Sequence, residues 1–121
     1  MIKPNELRLG NYVAVKNHGN KVIGKVFAIN KDTVSVEDGN NNYDYHLLEP
    51  IPLTELMLLK CGFEETQLFE DDPVFLFLNG FGLRIDYFED AFYFDDTKIE
   101  NVHQLMNLYF ALTGEELEVK V

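Results

Sequence analysis

The longest regular run of apolar positions lies near the end of the chain. Val102, Leu105, Met106, Tyr109 and Leu112 recur at three- and four-residue spacing, and Leu108 and Phe110 widen the same face. Asn101 with Gln104 three residues on is an N-terminal capping signal, and Gly114 suits a left-handed stop. The pattern predicts one amphipathic helix within 99–117, with His103, Gln104 and Asn107 as a narrow polar stripe. A stripe that narrow predicts a helix covered on more than one side. His103, beside it, is read as solvated or structural.

Earlier in the chain the period is two. Residues 12–16, 21–29, 33–37 and 43–48 predict short strands, parted by polar turns at 17–20, 30–32 and 38–42. Several short strands at this spacing predict a small curled sheet, whose curling hides strand edges. The prolines at 50 and 52 mark an extended connector. Thr54 then caps a short helix over 55–61, with Leu53 and Leu58 as a hydrophobic staple and Gly62 as its stop. Phe63 is placed to fold back on Leu58.

Residues 74–78 predict a central strand, 79–82 a hairpin turn, 83–88 a half-buried strand and 91–94 a third strand closed by Asp95 and Asp96. The tail 116–121 alternates as a last short strand does. The expected class is α+β: an N-terminal SH3-like small β-barrel or curled sheet over 1–50, then an acidic helix–β-meander–helix lobe over 51–121. At 121 residues the two lobes are expected to pack as one compact unit.

Charge changes that picture. The net charge is -11, and residues 1–50 carry six basic and six acidic side chains against four and fifteen in 51–121. The acidic half repels a phosphate backbone, which argues against nucleic acid there. Apolar residues make up 46%, enough for a core, and no apolar run is long enough to span a membrane. With one cysteine, Cys61, and no apolar leader, the expected location is the cytoplasm. Cys61 at a helix C-terminus is expected to be an inert, half-buried thiol.

Catalytic and metal chemistry find no handle. Ser35, the sole serine, sits between Val34 and Val36 without a glycine elbow. His18, His46 and His103 are scattered, and the acids at 70–72, 89–90 and 95–96 lack the ligand spacing of a calcium loop. Gly80-Phe81-Gly82 lacks the context of a phosphate loop. No metal, cofactor or catalytic residue is assigned.

Two resemblances add to this. Gly10, Val13-x-Val15 and Gly24-Lys25-Val26 resemble SH3-like barrels of the KOW type, which implies a binding module, in some cases for RNA. On that implication Lys16, Lys21, Lys25 and Lys31 form a candidate nucleic-acid edge; the alternative is that they are solvated charges guarding an edge strand. ELRLGNYV, LEPIPLTELMLLKCGFE and VHQLMNLYFALTGEEL resemble a family of short proteins from Bacteroidetes genomes and their phages and mobile elements. Met106 stands where that family commonly has glutamine. The resemblance implies an origin and carries over no functional residue.

In the meander, Phe75 and Phe77 oppose Val74, Leu76 and Leu78; Phe88 opposes Leu83, Ile85 and Tyr87; Tyr93 opposes Phe92 and Phe94. The sheet thus has two apolar faces, and the helix covers one. Phe75, Phe77, Phe88, Tyr93 and Asp86 are the candidate protein-interaction patch, rimmed also by Asp71, Asp72 and Glu89. The alternative is that the N-terminal lobe covers that face. The expected function is a non-catalytic protein-interaction module, with a protein partner or self-association. A nucleic-acid-binding barrel and an uncatalogued enzyme are the alternatives.

Overall fold

The computed structural model describes residues 2–17, 20–37, 41–67, 69–70, 75–78 and 83–119. In chain order the strands and α-helices are β1 (Tyr12–Asn17), β2 (Asn20–Ile29), β3 (Thr33–Val36), β4 (Asn41–Asp44), β5 (Leu48–Glu49), α1 (Glu55–Lys60), β6 (Glu64–Thr66), β7 (Phe75–Leu78), β8 (Leu83–Phe88), β9 (Ala91–Phe94), β10 (Thr97–Ile99) and α2 (Val102–Thr113). Single 3-10 turns occupy Pro4–Glu6 and Tyr45–Leu47. The chain is α+β, and its contacts divide it into two units. Residues 1–52 group with 101–116, and 53–100 with 117–121. The division therefore differs from one at residue 50, because α2 groups with the first sheet.

In the first unit the strands run antiparallel in the order β4-β3-β2-β1-β5. Valines at alternate positions bury one face: Val13, Val15, Val26, Val34 and Val36 join Ile2, Tyr43 and Leu48 in a continuous core. β-Branched side chains suit such a pleated, one-sided surface. The register shifts between Val26 and Ala28, which leaves Phe27 in a bulge and bends β2. β4 and β5 remain the two edges, so the described residues form a curled sheet and no closed barrel. The strand expected over 43–48 is broken by the 3-10 turn. Beyond it Leu48 pairs with Val15, on the other side of the sheet, and fills the core.

α2 is capped as its sequence requires. Asn101 Oδ1 accepts from the Gln104 amide at 3.0 Å, and Gly114, at φ 75°, donates its N–H to the Phe110 carbonyl at 2.8 Å. Its polar stripe, however, is not a solvent face. His103 is buried, with Nε2 3.6 Å from a Glu6 carboxylate oxygen. Asn107 donates to the Glu6 carbonyl at 2.8 Å and accepts from Asn11 Nδ2 at 2.9 Å. Arg8 holds the Glu116 carboxylate, its second contact at 3.1 Å, and its guanidinium lies 4.0 Å from the Phe110 ring centroid. This polar seam ties α2 to the segment before β1, and it exposes Phe110 and Leu112 of the expected apolar face.

In the second unit β6 to β10 form an antiparallel sheet in consecutive order. The expected three-stranded meander gains β6 and β10 as its edges. Glu64-Glu65-Thr66 and Thr97-Lys98-Ile99 carry almost no apolar alternation, so they are strands by backbone pairing alone. α1 begins with Thr54 Oγ1 accepting from the Met57 amide at 3.2 Å. It stops at Gly62, φ 96°, where Phe63 N–H returns to the Leu58 carbonyl at 3.1 Å. Leu53, Leu58 and Phe63 are buried. The tail differs from the expected strand: residues 115–119 join no ladder, although Leu117 and Val119 are buried. Val74, the turn at 79–82 and residues 120–121 lie outside the described residues. Among the described residues no helix is long and apolar enough to cross a membrane.

Candidate interaction face on the second sheet

Cross-strand partners in an antiparallel sheet share a face, so register decides which side chains can act together. One row runs Thr66, Phe75, Asp86, Tyr93, Lys98 across all five strands. A second runs Glu64, Phe77, Arg84, and a third pairs Phe88 with Ala91. All five patch residues named from the sequence therefore lie on one face. The opposite face carries Leu76, Leu83, Ile85, Phe92 and Ile99, every one of them buried, and is the core side.

The patch is uneven. Phe88 is 60% exposed, Phe77 and Tyr93 are half-buried, and Phe75 is buried. Arg84 explains part of the difference. Its guanidinium lies 4.0 Å from the Phe75 ring centroid while its Nε donates to Asp86 Oδ1 at 2.7 Å. A guanidinium over a ring with a carboxylate alongside combines cation–π attraction with a charge-assisted hydrogen bond.

Beside this arrangement Asp86, Phe88, Tyr93, Asp95 and Asp96 line an open cavity of about 290 Å3. Asp95 and Asp96 form the β9–β10 turn; Asp95 follows Tyr93 by two residues, so it continues the face of Ala91 and Tyr93 beyond the last β8–β9 pair. The sequence marks them as the close of the third strand and as acids without calcium-loop spacing; that they share a cavity with Phe88 is seen only in the fold. Asp71 and Asp72 lie outside the described residues; Glu89 is exposed in the β8–β9 turn.

The lysines named as a candidate nucleic-acid edge are partly gathered. Lys16 pairs with Lys21, and Lys25 with Tyr12, which puts three of them on the β1–β2 face away from the valine core, together with Ile23. Lys21 is held 2.8 Å from Glu49, and that pairing keeps the Glu49 carboxyl below its ordinary range. The Lys25 ammonium lies 5.8 Å from the Tyr12 ring. Lys31 sits apart, in the β2–β3 turn.

Elsewhere the chemistry is structural. Ser35 is buried and donates to Asn42. Burial pushes the half-buried Cys61 thiol up to about 11, leaving negligible thiolate at neutral pH. Among the described residues no three His, Cys, Asp or Glu side chains are placed to hold a metal ion, and His18 lies outside them. The chain matches no family model, no curated protein and no solved structure.

Proposed function

We propose that this chain is a non-catalytic protein-interaction module that docks a partner on the Phe77–Phe88–Tyr93 face of the second sheet. The observation that carries the reading is Phe88, a large aromatic 60% exposed at the end of β8 beside the β8–β9 turn, set among half-buried aromatics and carboxylates. Aromatic side chains inside a charged rim are the composition of recognition surfaces. On this reading the chain is a cytoplasmic module, and the origin implied by its resemblance is a phage or mobile element. The strand order of the first sheet and the 3-10 turn before β5 support an SH3-like scaffold in partly open form.

A second reading rests on Lys16, Lys21 and Lys25 sharing a face with Tyr12 and Ile23. It assigns weak, salt-sensitive binding of single-stranded nucleic acid to the first sheet. The Lys21–Glu49 pair and the net charge of -11 rank it second.

The test is affinity capture from the native host, and sedimentation velocity, with the wild type, Phe77→Ser and Phe88→Ser. Association is expected with the wild type and lost in both variants, with unchanged circular dichroism. Association that survives both, or that is lost only with Lys21→Glu and Lys25→Glu, sinks the first reading.

A further inference from the structure

The two arginines of the described residues are treated alike. Arg8 lies 4.0 Å from the Phe110 ring centroid and binds the Glu116 carboxylate. Arg84 lies 4.0 Å from the Phe75 ring centroid and binds Asp86. Each is a guanidinium on an aromatic face, closed laterally by a carboxylate. The cavity next to this arrangement supplies the same two components, and of its carboxylates only Asp86 is already held by a cation, Arg84. Phe88 and Tyr93 are the rings; Asp86, Asp95 and Asp96 are the carboxylates. Among the described residues no basic group pairs with Asp95 or Asp96.

We infer that this cavity receives an arginine side chain from an extended segment of a partner protein. The inference rests on the interaction reading above and names the chemistry that reading leaves open. Charge selects the occupant. Residues 53–100 and 117–121, the unit that bears the cavity, carry thirteen acidic and four basic side chains, so a phosphate backbone or an acidic protein is repelled and a basic segment is drawn in. Geometry selects arginine. Its planar fork can stack on the Phe88 ring and still bond a carboxylate, whereas an ammonium is a compact, strongly hydrated charge. The turn that carries the two aspartates leads into β10, which among the described residues is an edge of the sheet over Thr97–Ile99, so the anchor enters beside a short strand edge.

The experiment titrates the isotopically labelled full chain with a short glycine–serine peptide carrying arginines, and with the same peptide carrying citrulline, its neutral isostere. The arginine peptide is expected to shift the amides of Asp86, Phe88, Tyr93, Asp95 and Asp96, and the citrulline peptide to leave them in place. Phe88→Ala, and Asp95→Asn combined with Asp96→Asn, should each weaken binding about tenfold. Phe88 is largely exposed and asparagine tolerates the turn, so these variants keep the fold. Equal binding of both peptides, shifts confined to other surfaces, chain–chain association in place of peptide binding, or no shifts at all would overturn the assignment. If that happens while Phe88→Ser still abolishes partner association, the arginine assignment falls and the interaction reading stands. If Phe88→Ser has no effect either, both fall.

Discussion

The two sheets have the same strand count and the same antiparallel pairing, yet they bury their side chains by different rules. The first is one-sided. Valines fill its inner face, and Lys16, Lys21 and Lys25 with Tyr12 and the exposed Ile23 occupy the other, Lys21 beside Glu49 and Lys25 beside the Tyr12 ring. The second is two-sided. Leu76, Ile85 and Phe92 fill the core, and Phe75, Phe77, Phe88 and Tyr93 stand on the opposite face. The first sheet leaves Val22, Ile23 and Phe27 exposed on β2 alone, among lysines, once its core is made. A two-sided aromatic sheet leaves apolar area that folding alone does not use, and recognition is the use proposed for it here.

That contrast is sharpest within the second sheet, where the two faces should respond very differently to truncation. Ile85 is fully buried, and Ile85→Ala should cost about 2–5 kcal/mol. Phe88→Ser on the other face should change stability by about 0.5 kcal/mol or less. Urea unfolding of both variants measures the difference. Similar losses would mean that the Phe88 face is core and the contrast between the sheets is false.

The one-sided sheet was the legible one. Alternating valines between polar turns define its first three strands within a residue or two, while the expected 43–48 strand is two short ones parted by a 3-10 turn. The caps of both helices are written in Asn101, Gly114, Thr54 and Gly62. β6 and β10 were not legible, because Glu64-Glu65-Thr66 and Thr97-Lys98-Ile99 bury only Ile99 and owe their state to a neighbour's backbone. The faces of Phe75, Phe88 and Tyr93 follow from alternation, but the cavity does not. Asp95 and Asp96 belong to it through pairings that no local pattern encodes. The placement of α2 is instructive in another way. Arg8, Gly10 and Asn11 of LRLGN meet Asn107, Phe110 and Glu116 of NLYFALTGEE, so the most distinctive text of the chain is occupied by its own polar seam. Those residues hold a fold together, which leaves function to the less distinctive aromatic strands.

That seam gives the next largest effect, and it belongs to the first unit alone. Burial lowers the His103 pKa below 6.5, with Glu6 opposing in part, so the folded state prefers the neutral imidazole. The unfolded chain binds the proton first. The contribution is therefore fully present above pH 6.5 and is lost as the pH falls below it toward the lower folded-state value. One proton sets a ceiling of about 1.4 kcal/mol per pH unit on that slope. Denaturant unfolding at about pH 7.5 and about pH 5.5 should show the loss, and His103→Leu should flatten it. An equal slope in the variant would assign the effect to other groups.

The smallest effect comes from the turns, where the units again differ. Among the described residues, the first unit places glycine wherever its backbone turns left-handed, at Gly10 with φ 94° and Gly114 with φ 75°. The second has Gly62 but also puts Glu89, Asp90 and Asp95 in that region, at φ 50°, 59° and 52°. Side chains with a Cβ pay for that conformation, and glutamate lacks the local hydrogen bonding that makes aspartate tolerable there. Glu89→Gly should therefore stabilise the chain by about 0.5–1 kcal/mol, the relief of strain being partly offset by a more flexible unfolded state. Asp90→Gly should gain less, because the Asp90 carboxylate accepts from the Tyr87 hydroxyl at 2.9 Å and that bond would be lost. Thermal unfolding of the two variants orders them. If Asp90→Gly is the more stabilising, the Tyr87 bond contributes nothing, and the acids of this turn are held there by no contact within the chain.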